Sequence, residues 1–255
     1  MTSLGVRFKD IKNRIMSGAR KRITDNYSKH PDAGKYDLAP NGEKHIFLIR
    51  HGQTEPNKTH TYCGYTDVPL AEEGKDELRP YREYYEKAIP VNAKYFTSGM
   101  KRANQTMEIL CTRNGKAPEF NVDKGFMEMN FGEFEMHHHK ELMHDPRYVK
   151  WLFGDFESHV APGGESGLQM EERVLKAFER LIKLPDENLV VVIHGGSIFH
   201  IMKMLFPEEN RNIWEWEPKN GKGYILDYSS ADGKWTYENI LEDASDEPKK
   251  NPFEE

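Results

Sequence analysis

Two histidines stand where apolar runs stop. His51 follows HIFLIR (45–50), His194 follows NLVVVI (188–193), and each is followed by glycine. Arg50 closes the first run. A third run, AKYFTS (93–98), leads to Lys101 and Arg102. A lone histidine is more often a satisfied structural residue. Two of them at strand ends, with arginines beside them, point to a site, because such costly groups need partners when buried. Arginine offers a planar fork matched to phosphate oxygens. Arg50 and Arg102 supply two forks, the Asn57 amide can add a donor, and backbone N–H groups at helix starts after residues 98 and 195 can add more. That set describes an anion pocket suited to a phosphoryl group, with a neutral histidine as a plausible nucleophile. Glycine after each histidine lets the backbone turn sharply or approach a ligand. Taken singly, the other members are ordinary: Asn57 reads as a turn residue, Arg102 as an exposed helical residue.

The elements that must position these residues alternate. HIFLIR, AKYFTS, EFNV (119–122) and NLVVVI read as short strands. LAEEGKDELRPYREYYEKAI (70–89) reads as helical, with Pro80 forcing a break. GMKRANQTMEILCTRN (99–114) reads as a helix facing inward through Ala103, Met107 and Leu110. ESGLQMEERVLKAFERLIKL (165–184) carries the apolar stripe Leu168, Val174, Leu175, Phe178, Leu181, Ile182. GGSIFHIMKMLF (195–206) follows the best strand as a helix, and GYILDY and KWTYENI flank SSADG as a closing hairpin. Residues 123–164 read as irregular and loop-rich. The expected fold class is α/β: three layers, α/β/α, with a mostly parallel central sheet and helices on both faces. In such sheets ligands bind beyond the carboxyl ends of the strands, where the histidines lie.

The whole-chain numbers fit one such domain with extensions. The 255 residues are 37% hydrophobic and 31% charged, with a net charge of −6. Nothing there draws the chain to nucleic acid or an anionic membrane. No apolar run reaches the roughly 20 residues of a membrane span, and no signal-peptide core opens the chain. Cys63 and Cys111 make neither a disulfide framework nor a zinc set, so reduced thiols and a cytoplasmic location are expected. Residues 1–44 hold ten Lys or Arg against five Asp or Glu, a net +5, which leaves −11 for the remainder. They read as a basic extension, with Val6, Ile11 and Ile15 on one helical face, ending in the linker KHPDAGKYDLAPNG (29–42). Such an arm offers a possible partner contact. Residues 45–240 form the expected domain, and the acidic stretch 241–255 reads as a disordered tail. His137, His138 and His139 point in different directions on a helix, so a solvated or substrate-facing patch is favoured over a metal site.

LIRHGQTEPN, GYTDVPLAEEG, SGMKRANQT, EMNFGEFE, PGGES and VVVIHGGSI, in that order, resemble the motifs of the histidine phosphatase superfamily, the phosphoglycerate mutase-like family. The resemblance implies that His51 becomes phosphohistidine. Arg50, Asn57, Arg102 and His194 then bind the phosphoryl group, helped by the Gly195 N–H. Glu128 resembles the acid that protonates the leaving oxygen. As a lone loop carboxylate it would otherwise read as solvated. Glu165, in PGGES, either lines the pocket or favours a helix N-terminus through the dipole. Like charge from Arg50 and Arg102 should keep His51 unprotonated. No metal or cofactor is implied, since the arginines take the place of magnesium. Mutases of the family carry Arg after the acid, then YG and a long basic insertion. Here Met129 follows Glu128 and the insertion is short. Hydrolysis of a small phosphomonoester is therefore expected. Phosphoglycerate mutase-type transfer, or a non-catalytic phosphate-binding adaptor, are the alternatives.

Overall fold

The computed structural model describes residues 35–154 and 159–241. The expected N-terminal helical face and the tail beyond 241 lie outside the described residues. Six strands form one mixed sheet: β1 (Lys44–Arg50), β2 (Lys94–Thr97), β3 (Phe120–Val122), β4 (Asn188–Ile193), β5 (Gly223–Ser229) and β6 (Lys234–Ile240). Their order is β3-β2-β4-β1-β5-β6. The first four are mutually parallel, while β5 runs antiparallel to β1 and β6 antiparallel to β5. The helices are α1 (Glu55–Lys58), α2 (Glu72–Leu78), α3 (Arg82–Ala88), α4 (Lys101–Cys111), α5 (His139–Leu142), α6 (Pro146–Phe153), α7 (Gly167–Ile182), α8 (Gly195–Leu205) and α9 (Ile213–Trp216).

The unbroken apolar runs of β1 and β4 reflect burial on both faces. Ile46, Leu48, Leu189, Val191 and Ile193 pack with Val174, Phe178 and Ile182 of α7 and Ile198 and Met202 of α8. Their neighbours Phe47, Ile49, Val190 and Val192 pack with Leu78 of α2, Tyr85 of α3, and Ala103, Met107 and Leu110 of α4. The three-layer α/β arrangement is as expected. Pro80 sits in a 3₁₀ turn, Arg79–Tyr81, between α2 and α3.

Two readings need correction. Leu168 is 46% exposed, while Gly167, Met170 and Glu171 beside it are buried. Periodicity gives the direction of an apolar face but not where the covering layer stops, and Leu168 lies in the first turn, past that point. The segment 123–164 is also more regular than expected. It contains α5 and α6, whose Tyr148, Trp151 and Leu152 are buried. The signal was present: Asp145 caps α6 through the Arg147 N–H and Pro146 occupies its first turn.

Residues 35–43, within the segment read as a linker, lie against α7 and β6. The Asp37 N–H donates to Glu179 at 3.1 Å, the Asn41 side chain to the Lys183 carbonyl at 3.0 Å, and the Trp235 indole to the Leu38 carbonyl at 3.0 Å. At that end of β1, Lys44, His45, Asn188 and Asp227 border a cleft of about 580 Å³. It lies at the opposite end of the strands from His51 and His194.

Candidate active site

β1 and β4 are adjacent and parallel, with Arg50 opposite Ile193. After them the chain departs to opposite faces, toward α2 from β1 and into α8 from β4. That divergence opens a crevice at the carboxyl ends of the strands, where α/β sheets bind ligands. His51 and His194 enter it side by side, ring centroids 5.1 Å apart. His51 is fixed by its own N–H to the Ile193 carbonyl at 2.9 Å.

The His51 Nδ1 lies 2.7 Å from the Gly52 carbonyl. A carbonyl only accepts, so Nδ1 carries the proton and the neutral ring keeps its lone pair on Nε2. That is the tautomer a nucleophile needs. His194 is fully buried. Arg102 Nε donates to its Nδ1 at 3.3 Å, so its Nε2–H points to Ser98 Oγ at 2.8 Å. Burial first, then the charge of Arg102, hold the His194 pKa well below the ordinary histidine value. It is a neutral residue of the pocket wall.

Arg50 and Arg102 are both held by the protein. Arg50 Nη1 donates to the Pro218 carbonyl at 2.9 Å and Nη2 pairs with Glu217 Oε1 at 2.6 Å. Its Nε–H is buried with no acceptor among the described residues. An incoming phosphate oxygen would relieve that cost. Arg102 is 1% exposed; Nη1 donates to the Thr66 carbonyl at 3.1 Å and Nη2 to the Gly64 carbonyl at 2.7 Å. Its place on α4 therefore faces inward, unlike an ordinary helical arginine. Asn57 uses Oδ1 to accept from the Thr54 N–H and hydroxyl at 3.1 and 2.9 Å. Its Nδ2 is the donor left to offer. Gly195 opens α8, whose N-cap His194 provides no side-chain cap.

Glu128 is carried to this corner by its loop. Oε1 accepts from the Met129 N–H at 2.9 Å and Oε2 from the Gly196 N–H at 3.1 Å. The approach is close: a Cβ at position 196 would stand 2.4 Å from Oε1, so a larger residue there would push the Glu128 carboxyl aside. Arg173 of α7 anchors the same loop, donating to the carbonyls of Gly125, Met127 and Glu128 at 3.1, 2.5 and 2.7 Å. Glu165 pairs with Arg173 at 2.5 Å and accepts from the Asn130 N–H at 2.8 Å. Its carboxylate thus braces the Glu128 loop. The N-terminus of α7 is capped instead by Ser166 with Gln169.

Several contributors carried no local signal. Glu217 lies in the loop after α9. Glu135 accepts the N–H groups of Gly64, Tyr65, Thr66 and Phe131 at 2.8–3.1 Å, tying the loop that holds Arg102 to the loop after Glu128. Asn220 Nδ2 donates to the His51 carbonyl at 2.9 Å. Each acts on residues far away in sequence. Ser98 was visible as a strand end, but its partner was not.

Cys63 lies close by. Burial pushes its thiol up to about 11 despite the pull of Arg102, so it stays protonated at neutral pH. Cys111 is buried and pushed up to about 12. The histidine triplet does local work: His138 caps α5 by accepting the Lys140 N–H at 3.0 Å, and His137 lies 3.5 Å from Glu141. Among the described residues, no group of three or more His, Cys, Asp or Glu is placed to hold a metal ion, and no helix is long and apolar enough to cross a membrane.

Comparison with known proteins shows the family. The sequence model of the histidine phosphatase superfamily (branch 1) matches residues 46–241. An adenosylcobalamin/alpha-ribazole phosphatase of Salmonella typhimurium is 27% identical over 71% of this chain and 89% of its own length. A putative phosphoserine phosphatase 2 of Hydrogenobacter thermophilus is 28% identical over 67% and 83%. A 2,3-bisphosphoglycerate-dependent phosphoglycerate mutase of Parvibaculum lavamentivorans is 29% identical over 63% and 79%. Among solved structures, a putative alpha-ribazole-5'-P phosphatase from Escherichia coli superposes with a TM-score of 0.67 at 24% identity, covering 78% of this chain and 96% of that one, and so shares the fold. The family match covers residues 46–241, well over half of the chain, and the chain therefore belongs to the histidine phosphatase superfamily, branch 1, as a histidine phosphatase.

Proposed function

We propose that the chain hydrolyses small phosphomonoesters through a phosphohistidine on His51. One observation carries this reading: His51 keeps Nε2 as its lone-pair nitrogen, beside a neutral His194, with Arg50, Arg102 and Glu128 converging from separate elements. The Nε2 lone pair attacks phosphorus, and the bond from phosphorus to the leaving oxygen breaks. Glu128, in its acid form, gives that oxygen a proton. Water then attacks the phosphohistidine and passes a proton to Glu128. The P–N bond breaks with its electrons returning to Nε2, and inorganic phosphate leaves. Arg50, Arg102, the Asn57 amide and the Gly195 N–H bear the charge on the equatorial oxygens.

Hydrolysis is favoured over mutase-type transfer by Met129. Where the family's mutases carry an arginine, Met129 is 4% exposed and packed in the core. The phosphatases among the relatives support the same class of substrate. We place the enzyme in the cytoplasm, where two unpaired thiols fit a reducing compartment.

The test is phosphate release from a panel of phosphomonoesters by wild type and His51→Ala. Wild type should turn over at least one member, and the variant should lose about 10³-fold or more. Efficient interconversion of 3- and 2-phosphoglycerate would overturn the hydrolytic assignment.

A further inference from the structure

The site described so far grips a phosphoryl group and says nothing of what the phosphate is attached to. Tyr65 is a large exposed hydrophobic residue, 38% accessible, placed between the two ends of the chemistry. Its flanking carbonyls, Gly64 and Thr66, hold the two Nη groups of Arg102. Its ring lies against Arg173, whose guanidinium carbon is 5.7 Å from the ring centroid and which also grips the Glu128 carbonyl. The backbone on either side of Tyr65 therefore borders the phosphate-binding arginine, and its ring rests on the arginine that holds the Glu128 loop. The backbone that carries the ring is also held. The Tyr65 N–H donates to Glu135 at 2.8 Å, and the amides on both sides donate to the same carboxylate. A preorganised ring backed by a cation on one side and accessible elsewhere loses little entropy when a ligand stacks on it.

We propose that Tyr65 is a stacking platform for the leaving group, selecting phosphomonoesters whose leaving group carries a planar aromatic ring close to the ester oxygen. The proposal rests on the phosphatase reading and adds a specificity residue to it. Aromatic pairs contribute beyond simple area burial, and the expected discrimination is about three- to tenfold.

The test uses phosphonates, which bind as phosphate esters do but resist cleavage. Dissociation constants for phenylphosphonate and methylphosphonate are measured by calorimetry with wild type, Tyr65→Ala and Tyr65→Phe. Wild type should bind the phenyl compound about three- to tenfold more tightly than the methyl compound. The ratio should fall to near one in Tyr65→Ala and survive in Tyr65→Phe. No phenyl preference in wild type, or a ratio that persists in Tyr65→Ala, overturns the proposal. Loosening of the loop would weaken both ligands together and leave the ratio intact, so it counts against stacking. The hydrolytic reading fails separately, by turnover that survives His51→Ala.

Discussion

Glu128 and Ser98 have different parts in the proposed reaction, and substitution should separate them. Glu128 meets the backbone at Met129 and Gly196 and, in the proposed mechanism, supplies the proton that a poor leaving group needs. Glu128→Gln should lower kcat by about 10²–10⁴-fold for an alkyl phosphate and far less for p-nitrophenyl phosphate, whose leaving group needs no proton. Equal losses on the two substrates would assign Glu128 to binding instead. The Ser98 hydroxyl meets His194 Nε2 at 2.8 Å and accepts the Met100 N–H at 3.4 Å. Ser98→Ala removes the hydrogen bond to His194, worth about 1 kcal/mol, and should lower kcat/KM about fivefold with no dependence on the leaving group. At this scale the sequence was informative wherever a residue ended an apolar run: Arg50, His51 and His194 stand out for that reason. Glu217 did not, because an acid in a polar loop looks like any other until Arg50 is seen beside it at 2.6 Å.

The elements were legible to the extent that their burial was periodic. β1 and β4, buried on both faces, and α4, with Ala103, Met107 and Leu110 inward, follow from apolar spacing alone. The loops did not, because their order comes from single polar residues that collect backbone groups from elsewhere. Glu135 is the clearest case, accepting from four separate amides across two loops. Nothing in FGEFE distinguishes its second glutamate as the one that holds Arg102's loop in place. Glu135→Ala should leave those amides without their acceptor and lower the unfolding free energy by about 2–4 kcal/mol in urea titration, with a parallel fall in kcat/KM. A variant as stable as wild type would mean that water replaces the carboxylate without cost. The segment 123–164 looked irregular for a related reason. Its one periodic apolar face, Tyr148, Trp151 and Leu152, spans a single short helix, and the rest of its order comes from aromatic contacts between loop and helix, as when the Phe134 ring meets that of Tyr148 with centroids 5.3 Å apart.

Across the whole molecule, topology decides where the site can be. Neighbouring parallel strands whose connections leave on opposite faces place His51 and His194 in one crevice. The sequence foretold the layers and the strands, but not which strands are neighbours, since β2 and β1 both pair with β4. Burying a neutral imidazole at that junction also couples fold stability to pH. The folded-state pKa of His194 is depressed by burial and by Arg102. The unfolded chain therefore takes up a proton as pH falls below about 6.5, while the folded one does not. The contribution is fully present above that value and declines as pH drops toward the folded-state pKa, by at most about 1.4 kcal/mol per pH unit. His194→Asn should flatten the urea-unfolding free energy between pH 6.5 and 5 relative to wild type. An unchanged slope would place the proton uptake elsewhere.

The central claim is covalent: phosphorus bonds to one imidazole nitrogen during turnover. Rapid acid-free quenching of the enzyme with a phosphorus-32-labelled monoester, followed by peptide mapping under alkaline conditions, reads this directly. We expect acid-labile, alkali-stable label on the peptide containing His51, formed and lost at rates compatible with turnover and absent from His51→Ala. Turnover at full rate with no label on that peptide, or label on another residue, would contradict the account.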